Sequence, residues 1–142
     1  MRGLDPDGWQ YVGNHSFRTE PPDVFSIRYS GDVLRAEAEE MTDAYEQFYK
    51  EGRRIYLLLD LTRIGAIPAE SRKLAAARAA RRKNEHAVFF GASFTMRLVT
   101  RLVTKAIALA RGEPDFSVFV ATEAEARAWI EAQRRGDARA GA

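Results

Sequence analysis

Length, composition and charge are those of an ordinary globular domain. The 142 residues, 46% of them hydrophobic, suffice for one domain with its own core, so we expect a single domain over residues 1–133 and a flexible tail over residues 134–142. The chain has no cysteine, which excludes disulfide frameworks, thiolate nucleophiles and cysteine metal sites. A net charge of +2 neither favours nor excludes a polyanionic partner.

The N-terminus and the hydropathy pattern bear on localisation. The segment MRGLDPDGWQ has acids and a proline where a signal peptide needs an apolar run. No stretch approaches the length of about 18 apolar residues that a membrane-spanning helix requires. We therefore expect a cytoplasmic protein without a transmembrane segment.

The predicted elements begin with two strands and then alternate between helices and strands. Pro21 and Pro22 force a turn between the first two strands, because proline cannot donate to a sheet ladder. The predicted strands are 9–17, 24–29, 55–61, 86–92 and 116–121. The predicted helices follow Asp32, Pro68, Ser93 and Thr122. The order ββαβαβαβα predicts an α/β domain with a mostly parallel five-stranded sheet and four helices.

The strand, loop and helix text LDLTRIGAIPAESRKL, residues 59–74, resembles the STAS or SpoIIAA-like family. In that family a central strand ending Leu-Asp-Leu-Ser runs into a loop and a helix that begins Asp-Ser-Ser-Gly, where a partner kinase phosphorylates one serine. Asp60, Leu61 and Thr62 match the strand end, whereas Pro68 to Ser71 stand where the family has Asp-Ser-Ser-Gly. The resemblance implies a SpoIIAA-like domain that works by binding a partner.

This resemblance makes the loop and the first turn of the second helix the expected partner-binding or switch segment. Ser71 is the nearest hydroxyl, one position beyond the phosphorylation site of the family. Glu70 could stand in for the phosphorylated serine of the family as a permanently charged residue, although the helix macrodipole alone explains a glutamate there. The candidate residues of this segment are Thr62, Gly65, Ile67, Glu70, Ser71 and Arg72.

A divergent branch of the same fold resembles CRAL-TRIO lipid-binding domains. The segment ATEAEARAWI, residues 121–130, is similar to the last strand and helix of that branch. Membership would imply a small apolar or lipid-like ligand, held in a pocket between the third helix and the sheet. The expected lining residues are Phe89, Phe94, Met96 and Leu98, which are equally consistent with an ordinary core.

Charge is unevenly distributed along the chain. Residues 69–112 carry ten basic residues against two acids, and residues 32–51 carry seven acids against two basic residues. Arg97, Arg101 and Lys105 follow four-residue steps and share one face of the third helix. This basic face is either merely solvated or docks to an acidic protein, to the acidic helix of another copy or to anionic lipid headgroups. Nucleic acid is not expected, since exposed aromatics are not interleaved with the charges.

Residue types that support catalysis are sparse. His15 and His86 lack a second histidine or carboxylate at metal-ligand spacing, so we expect no metal and no cofactor. Asp60 lies near the end of the central strand, where α/β sheets place ligands. We expect a non-catalytic module that acts through protein–protein contacts, with a small-ligand carrier as the alternative. An enzyme built on Asp60 and Thr62 is a third alternative, which a deep polar cleft around Asp60 would favour.

Overall fold

The computed structural model describes residues 5–49 and 53–140, with side chains as far as residue 136. Six strands and four helices lie within these ranges. The strands are β1 Gln10–Val12, β2 His15–Glu20, β3 Val24–Gly31, β4 Ile55–Ile64, β5 Glu85–Phe90 and β6 Ser117–Val120. The helices are α1 Arg35–Phe48, α2 Ala69–Ala79, α3 Phe94–Arg111 and α4 Glu123–Ala140.

The strands form one sheet in the order β1-β2-β3-β4-β5-β6. The first two pairs are antiparallel, and the pairs from β3 to β6 are parallel. The predicted α/β domain with a mostly parallel sheet and four helices is therefore confirmed. Crossovers of the usual right hand between neighbouring parallel strands place their helices on the same face.

The sheet has six strands rather than five, because the predicted strand 9–17 is a hairpin. Val12 pairs with His15, so Gly13 and Asn14 form a two-residue turn. Gly13 has a φ of +60° there, a conformation that glycine adopts without strain. The apolar alternation continues across the turn, and for that reason it reads as one strand.

Each face of the sheet has its own hydrophobic core. On the face of α1, α2 and α3, Phe25 and Ile55 are fully buried beside Met41 and Tyr45 of α1. On the opposite face, α4 covers the apolar side chains of the parallel strands. That second core contains Val24, Tyr56, Leu58, Val88, Phe90, Ala126 and Ile130.

The last helix is longer than expected. It continues to Ala140 and so includes seven residues of the predicted tail, which begins at Arg134. Arg134 Nε donates a hydrogen bond of 3.1 Å to Asp23 Oδ2, which ties the helix to the start of β3. Residues 141 and 142 lie outside the described residues.

Ser93 and Thr122 cap their helices with their side chains, whereas Asp32 does not cap α1. Ser93 Oγ accepts the Met96 amide at 3.1 Å, and Thr122 Oγ1 accepts the Glu125 amide at 3.2 Å. Asp32 instead accepts a hydrogen bond from the Ala66 amide in the loop after β4, and α1 begins only at Arg35. That loop is shorter than predicted, since β4 continues to Ile64.

Candidate functional site

The loop between β4 and α2 is fastened to the segment that leads from β3 into α1. The Gly65 amide donates to the Gly31 carbonyl at 2.8 Å, and the Ala66 amide donates to Asp32 Oδ1 at 2.8 Å. The Val33 amide in turn donates to the Ala66 carbonyl at 2.9 Å. A side chain at position 65 would collide with Asp32, so this close approach requires glycine.

Ser71 is one of the most buried side chains of the chain, at 1% exposure. Its hydroxyl donates to the Val33 carbonyl at 2.7 Å. Glu70 is exposed at the first turn of α2, and Arg72 donates to the Ile67 carbonyl at 2.5 Å. Ser71 therefore anchors α2 in this structure, and its use as a phosphorylated switch stays a prediction.

Thr62 lies apart from the other switch candidates, in a polar cleft of about 490 Å³. Asp60 Oδ1 accepts the Thr62 amide at 2.9 Å within this cleft. Burial raises the pKa of Tyr29 to about 12, so its phenol stays protonated near neutral pH. The residues that line the cleft are Tyr11, Asn14, Ser16, Arg28, Tyr29, Ser30, Asp60, Thr62 and Arg63.

The chemistry of this cleft bears on the enzyme alternative. Asp60 is the one carboxylate among the described residues that line it, and no histidine does. The other lining residues are two arginines, two tyrosines, two serines, one threonine and one asparagine. A polar cleft around Asp60 does exist, but among the described lining residues neither a histidine nor a second carboxylate is present to form an acid–base pair with it.

An apolar cavity of about 150 Å³ lies between α3 and the sheet, where the sequence predicted a ligand pocket. Phe89 lines it, whereas Phe94, Met96 and Leu98 are not among its lining residues. Phe94 is 68% exposed and Leu98 is 50% exposed, because α3 turns both residues away from the sheet. The cavity thus lies where a pocket was expected, one of the four expected residues lines it, and ligand binding there stays a prediction.

The wall of this cavity is apolar although two threonines contribute to it. Thr100 Oγ1 donates to the Met96 carbonyl at 2.7 Å, and Thr104 Oγ1 donates to the Arg101 carbonyl at 3.1 Å. Both hydroxyls are thus used within the helix. A ligand in the cavity would therefore meet almost only carbon atoms.

A buried ionic cluster closes one end of the cavity. Glu85, 1% exposed in its side chain, forms ion pairs with Arg82 at 2.8 Å and with Arg111. The Tyr45 hydroxyl donates to the same carboxylate, and burial together with the charge of Glu85 raises the pKa of Tyr45. Arg111 also donates to the Ala79 carbonyl at 2.8 Å. The cluster thereby joins α1, α2, β5 and α3.

Part of the charge asymmetry in the sequence is neutralised inside the molecule. Arg78 of α2 pairs with Asp43 at 2.7 Å and with Glu46, both on α1. Arg82 adds a bond of 3.0 Å to Glu46, and these guanidinium groups lower the pKa of the Glu46 carboxyl, Arg78 most of all. Two acids of α1 therefore form ion pairs within the same molecule, which weakens the case for docking of α1 to the basic face of another copy.

The outer surface of α3 carries two parallel rows of exposed side chains. The basic row, Arg97, Arg101 and Lys105, is exposed, and among the described residues none of its members has a carboxylate within ion-pair distance. The apolar row consists of Phe94 at 68%, Leu98 at 50%, Leu102 at 71% and Leu109 at 84% exposure. The predicted basic face thus exists with an unpredicted apolar row beside it.

An open groove of about 520 Å³ runs between α2 and α3 next to the apolar row. Leu102 belongs to both features, since it lines the groove and is largely exposed. Two further cations, Arg72 and Lys73, stand on the α2 side. The groove is lined by Ala69, Arg72, Lys73, Ala76, Val99, Leu102, Val103 and Ala106.

Comparison with known proteins gives the family. The SpoIIAA-like family model matches residues 24–131, most of the chain. The chain belongs to the SpoIIAA-like family. A search of the curated proteins found no match. The CRAL-TRIO resemblance is not part of this match and stays a prediction.

Two solved structures share the SpoIIAA-like fold with this chain. The anti-sigma factor antagonist SpoIIAA in its unphosphorylated form has a TM-score of 0.53 and 14% identity, over 82% of this chain and 97% of that one. An uncharacterized DUF3478 family protein from Shewanella loihica PV-4 has a TM-score of 0.57 and 16% identity, over 81% of this chain and 90% of that one. At these identities the likeness is one of fold.

Among the side chains of residues 5–49 and 53–136, no group of three histidines, aspartates or glutamates could hold a metal ion. No helix in residues 5–49 and 53–140 is long and apolar enough to cross a membrane.

One feature of the sequence indicates the exposed apolar row, namely the width of the apolar side of α3. Apolar residues cover more than half of the circumference of α3, which is more than a helix with one buried face needs.

Proposed function

We propose that this SpoIIAA-like domain is a non-catalytic regulatory module that binds a protein partner through the outer surface of α3 and the α2–α3 groove. The observation that carries the proposal is the apolar row, four large side chains that are each at least half exposed. Single exposed apolar residues are common, but a contiguous row beside a groove marks an interaction surface.

The charges around this surface define the chemistry of the partner. The basic row flanks the apolar row on α3, and Arg72 and Lys73 flank the groove on α2. An amphipathic segment with apolar anchors and neighbouring carboxylates would complement both features. The similar protein SpoIIAA is an anti-sigma factor antagonist, and we propose a regulatory role of that general kind without naming the partner.

Affinity purification from the native host tests this function. Tagged wild-type protein is compared with a Leu98→Ser and Leu102→Ser double variant and with Leu34→Ser. Leu34 is the matched control, because it is an exposed leucine, at 54%, at the N-cap of α1. We expect the double variant to lose a partner that the wild-type chain and the control retain, since each buried leucine contributes about 1.5–3 kcal/mol.

The ionic strength dependence tests the chemistry of the partner. Capture should weaken as salt rises, because exposed charges are screened beyond about 8 Å at physiological ionic strength. Equal capture by the double variant would refute the proposed surface. Binding of the wild-type chain to anionic lipid vesicles, with no protein captured, would refute the proposed partner class.

The cavity under α3 supports a second candidate function, that of a small-ligand carrier. Its volume of about 150 Å³ is that of a cavity that takes up benzene or xenon and stays dry otherwise. The carrier proposal therefore concerns an apolar molecule of that size and not a lipid chain. Native mass spectrometry of protein from its own host would reveal such a molecule, and a bare chain would count against it.

A further inference from the structure

The polar cleft on the α4 face of the sheet is built around an irregularity in the pairing of β3 with β4. Arg28 pairs with Asp60 and Ser30 pairs with Arg63, so two residues of β4 oppose Tyr29 alone. Such a bulge turns side chains away from strict alternation and often lies next to a binding site. As a result Thr62 and Arg63, which are adjacent in the sequence, both line the cleft.

Arg28 is held in place at the centre of the cleft. Its guanidinium carbon lies 3.6 Å from the ring centroid of Trp9, a buried side chain. Its Nε donates to Ser16 Oγ at 3.0 Å. Among the described residues neither terminal nitrogen of Arg28 has a hydrogen-bond partner, and no carboxylate lies within ion-pair distance. The planar fork is therefore oriented and open, which is the arrangement that binds an oxyanion with two hydrogen bonds.

The rest of the lining adds a second cation, several hydroxyls and one carboxylate. Arg63 is exposed and has no carboxylate partner among the described residues. Ser30 and Thr62 contribute hydroxyls, and Asp60 contributes the single acid. Two cations and one anion leave a net positive charge, with an acceptor beside the arginines. The volume of about 490 Å³ falls within the usual range for small-molecule sites.

We propose that this cleft binds a small phosphomonoester whose carbon skeleton carries hydroxyl groups. The phosphate oxygens accept hydrogen bonds from Arg28 and Arg63, and a hydroxyl of the ligand donates to Asp60. The site lies on the α4 face of the sheet, whereas the proposed protein-binding surface lies on α2 and α3. The two proposals are therefore independent and can fail separately.

Titration of the full chain with glycerol 3-phosphate, followed by amide chemical shifts and by calorimetry, tests this site. The variants are Arg28→Gln, Arg63→Gln and, as the matched control, Arg81→Gln, which removes the same charge from an exposed position in the turn after α2. We expect saturable shifts around residues 11–16, 28–30 and 60–63. Loss of a hydrogen bond to a charged group should weaken binding about tenfold or more in Arg28→Gln, and binding by Arg81→Gln should stay unchanged.

Further comparisons separate the recognition of phosphate from that of the hydroxyl. Asp60→Asn should weaken the binding of glycerol 3-phosphate but not the binding of inorganic phosphate. Glycerol alone should bind far more weakly than glycerol 3-phosphate. The amide spectrum of Arg28→Gln shows whether this variant is folded. If Arg28→Gln is unfolded, the affinity of Arg63→Gln for glycerol 3-phosphate tests the proposal in its place. Absence of saturable shifts in the wild-type chain, or equal weakening of binding in Arg81→Gln, would overturn the proposal.

Discussion

Ser71 illustrates how one buried hydrogen bond decides what a residue can do. Its hydroxyl is closed off from solvent and donates to the Val33 carbonyl, which links the start of α2 to the segment before α1. A kinase needs an exposed hydroxyl. Phosphorylation of Ser71 would therefore require the first turn of α2 to open.

A negative charge at position 71 should be far more costly than the same charge nearby. We expect Ser71→Asp to lower the free energy of unfolding by about 3 kcal/mol or more, because it buries an unpaired carboxylate. Ala69→Asp is the control, since position 69 is exposed in the same turn and the macrodipole favours an acid there. Urea denaturation measures both, and a fully stable Ser71→Asp variant would show that the serine is readily exposed.

Glu85 is the residue on which the buried ionic cluster depends. Glu85→Gln would leave Arg111, 2% exposed in its side chain, without its anionic partner. We expect a loss of about 3–5 kcal/mol in the free energy of unfolding. Glu70→Gln, at an exposed glutamate, should change it by no more than about 0.5 kcal/mol. Similar losses in both variants would contradict this account of the cluster.

At the scale of elements, α4 is held on its face of the sheet by ion pairs as well as by its apolar side. Arg127 donates from both terminal nitrogens to the two oxygens of Glu20, at 2.8 and 3.1 Å. The hydrogen bond with Arg127 lowers the pKa of Glu20 below its ordinary value of 4.5. A carboxyl with a lowered pKa stabilises the folded state above its ordinary pKa and loses that effect as the pH falls.

The stability difference between the wild-type chain and Glu20→Gln should follow that pH dependence. At neutral pH we expect the free energy of unfolding of Glu20→Gln to be about 1 kcal/mol lower than that of the wild-type chain, a figure kept small because the ion pair is partly exposed to solvent. The difference should shrink below pH 4.5 and vanish once the pH lies below the lowered pKa. Glu123→Gln, which removes a helical i,i+4 partner of the same arginine, should cost only about 0.3–0.5 kcal/mol. A difference that persists in acid would contradict the ion-pair explanation.

The elements themselves followed from local patterns, and the errors have local causes. Alternation and apolar runs predicted the parallel strands, and Ser93 marked the start of α3 as the structure has it. The β1–β2 turn at Gly13 was missed because the alternation is the same on both sides of it. The end of β4 was missed because its last residues pair with β3 while their side chains are partly exposed.

At the scale of the whole molecule, three concave features are distributed over both faces of one sheet. The apolar cavity and the α2–α3 groove lie on the face of the first three helices, and the polar cleft lies on the other face near the β1–β2 hairpin. The expectation of a pocket under α3 came from the CRAL-TRIO resemblance. Local sequence patterns could not predict the cleft, because Trp9, Arg28 and Arg63 come from separate parts of the chain and meet only through sheet register.

The orientation of α3 was the second feature that the sequence left undecided. The apolar side of α3 is wider than one buried face, so the pattern leaves open which part of it is buried, and neighbouring elements decide which part faces solvent. Here Ile107 and Ala108 face the sheet, and Leu102 and Leu109 face outward. The exposed row is therefore a property of packing.

Site-specific photo-crosslinking in the native host tests the proposed protein-binding surface most directly. A photoreactive phenylalanine derivative replaces Leu102 in one protein and Leu34, the exposed leucine at the N-cap of α1, in another. The account predicts a crosslinked protein adduct from position 102 that is absent from position 34 and that competes with excess unlabelled wild-type chain. Equal adducts from both positions, or none from position 102, would contradict it.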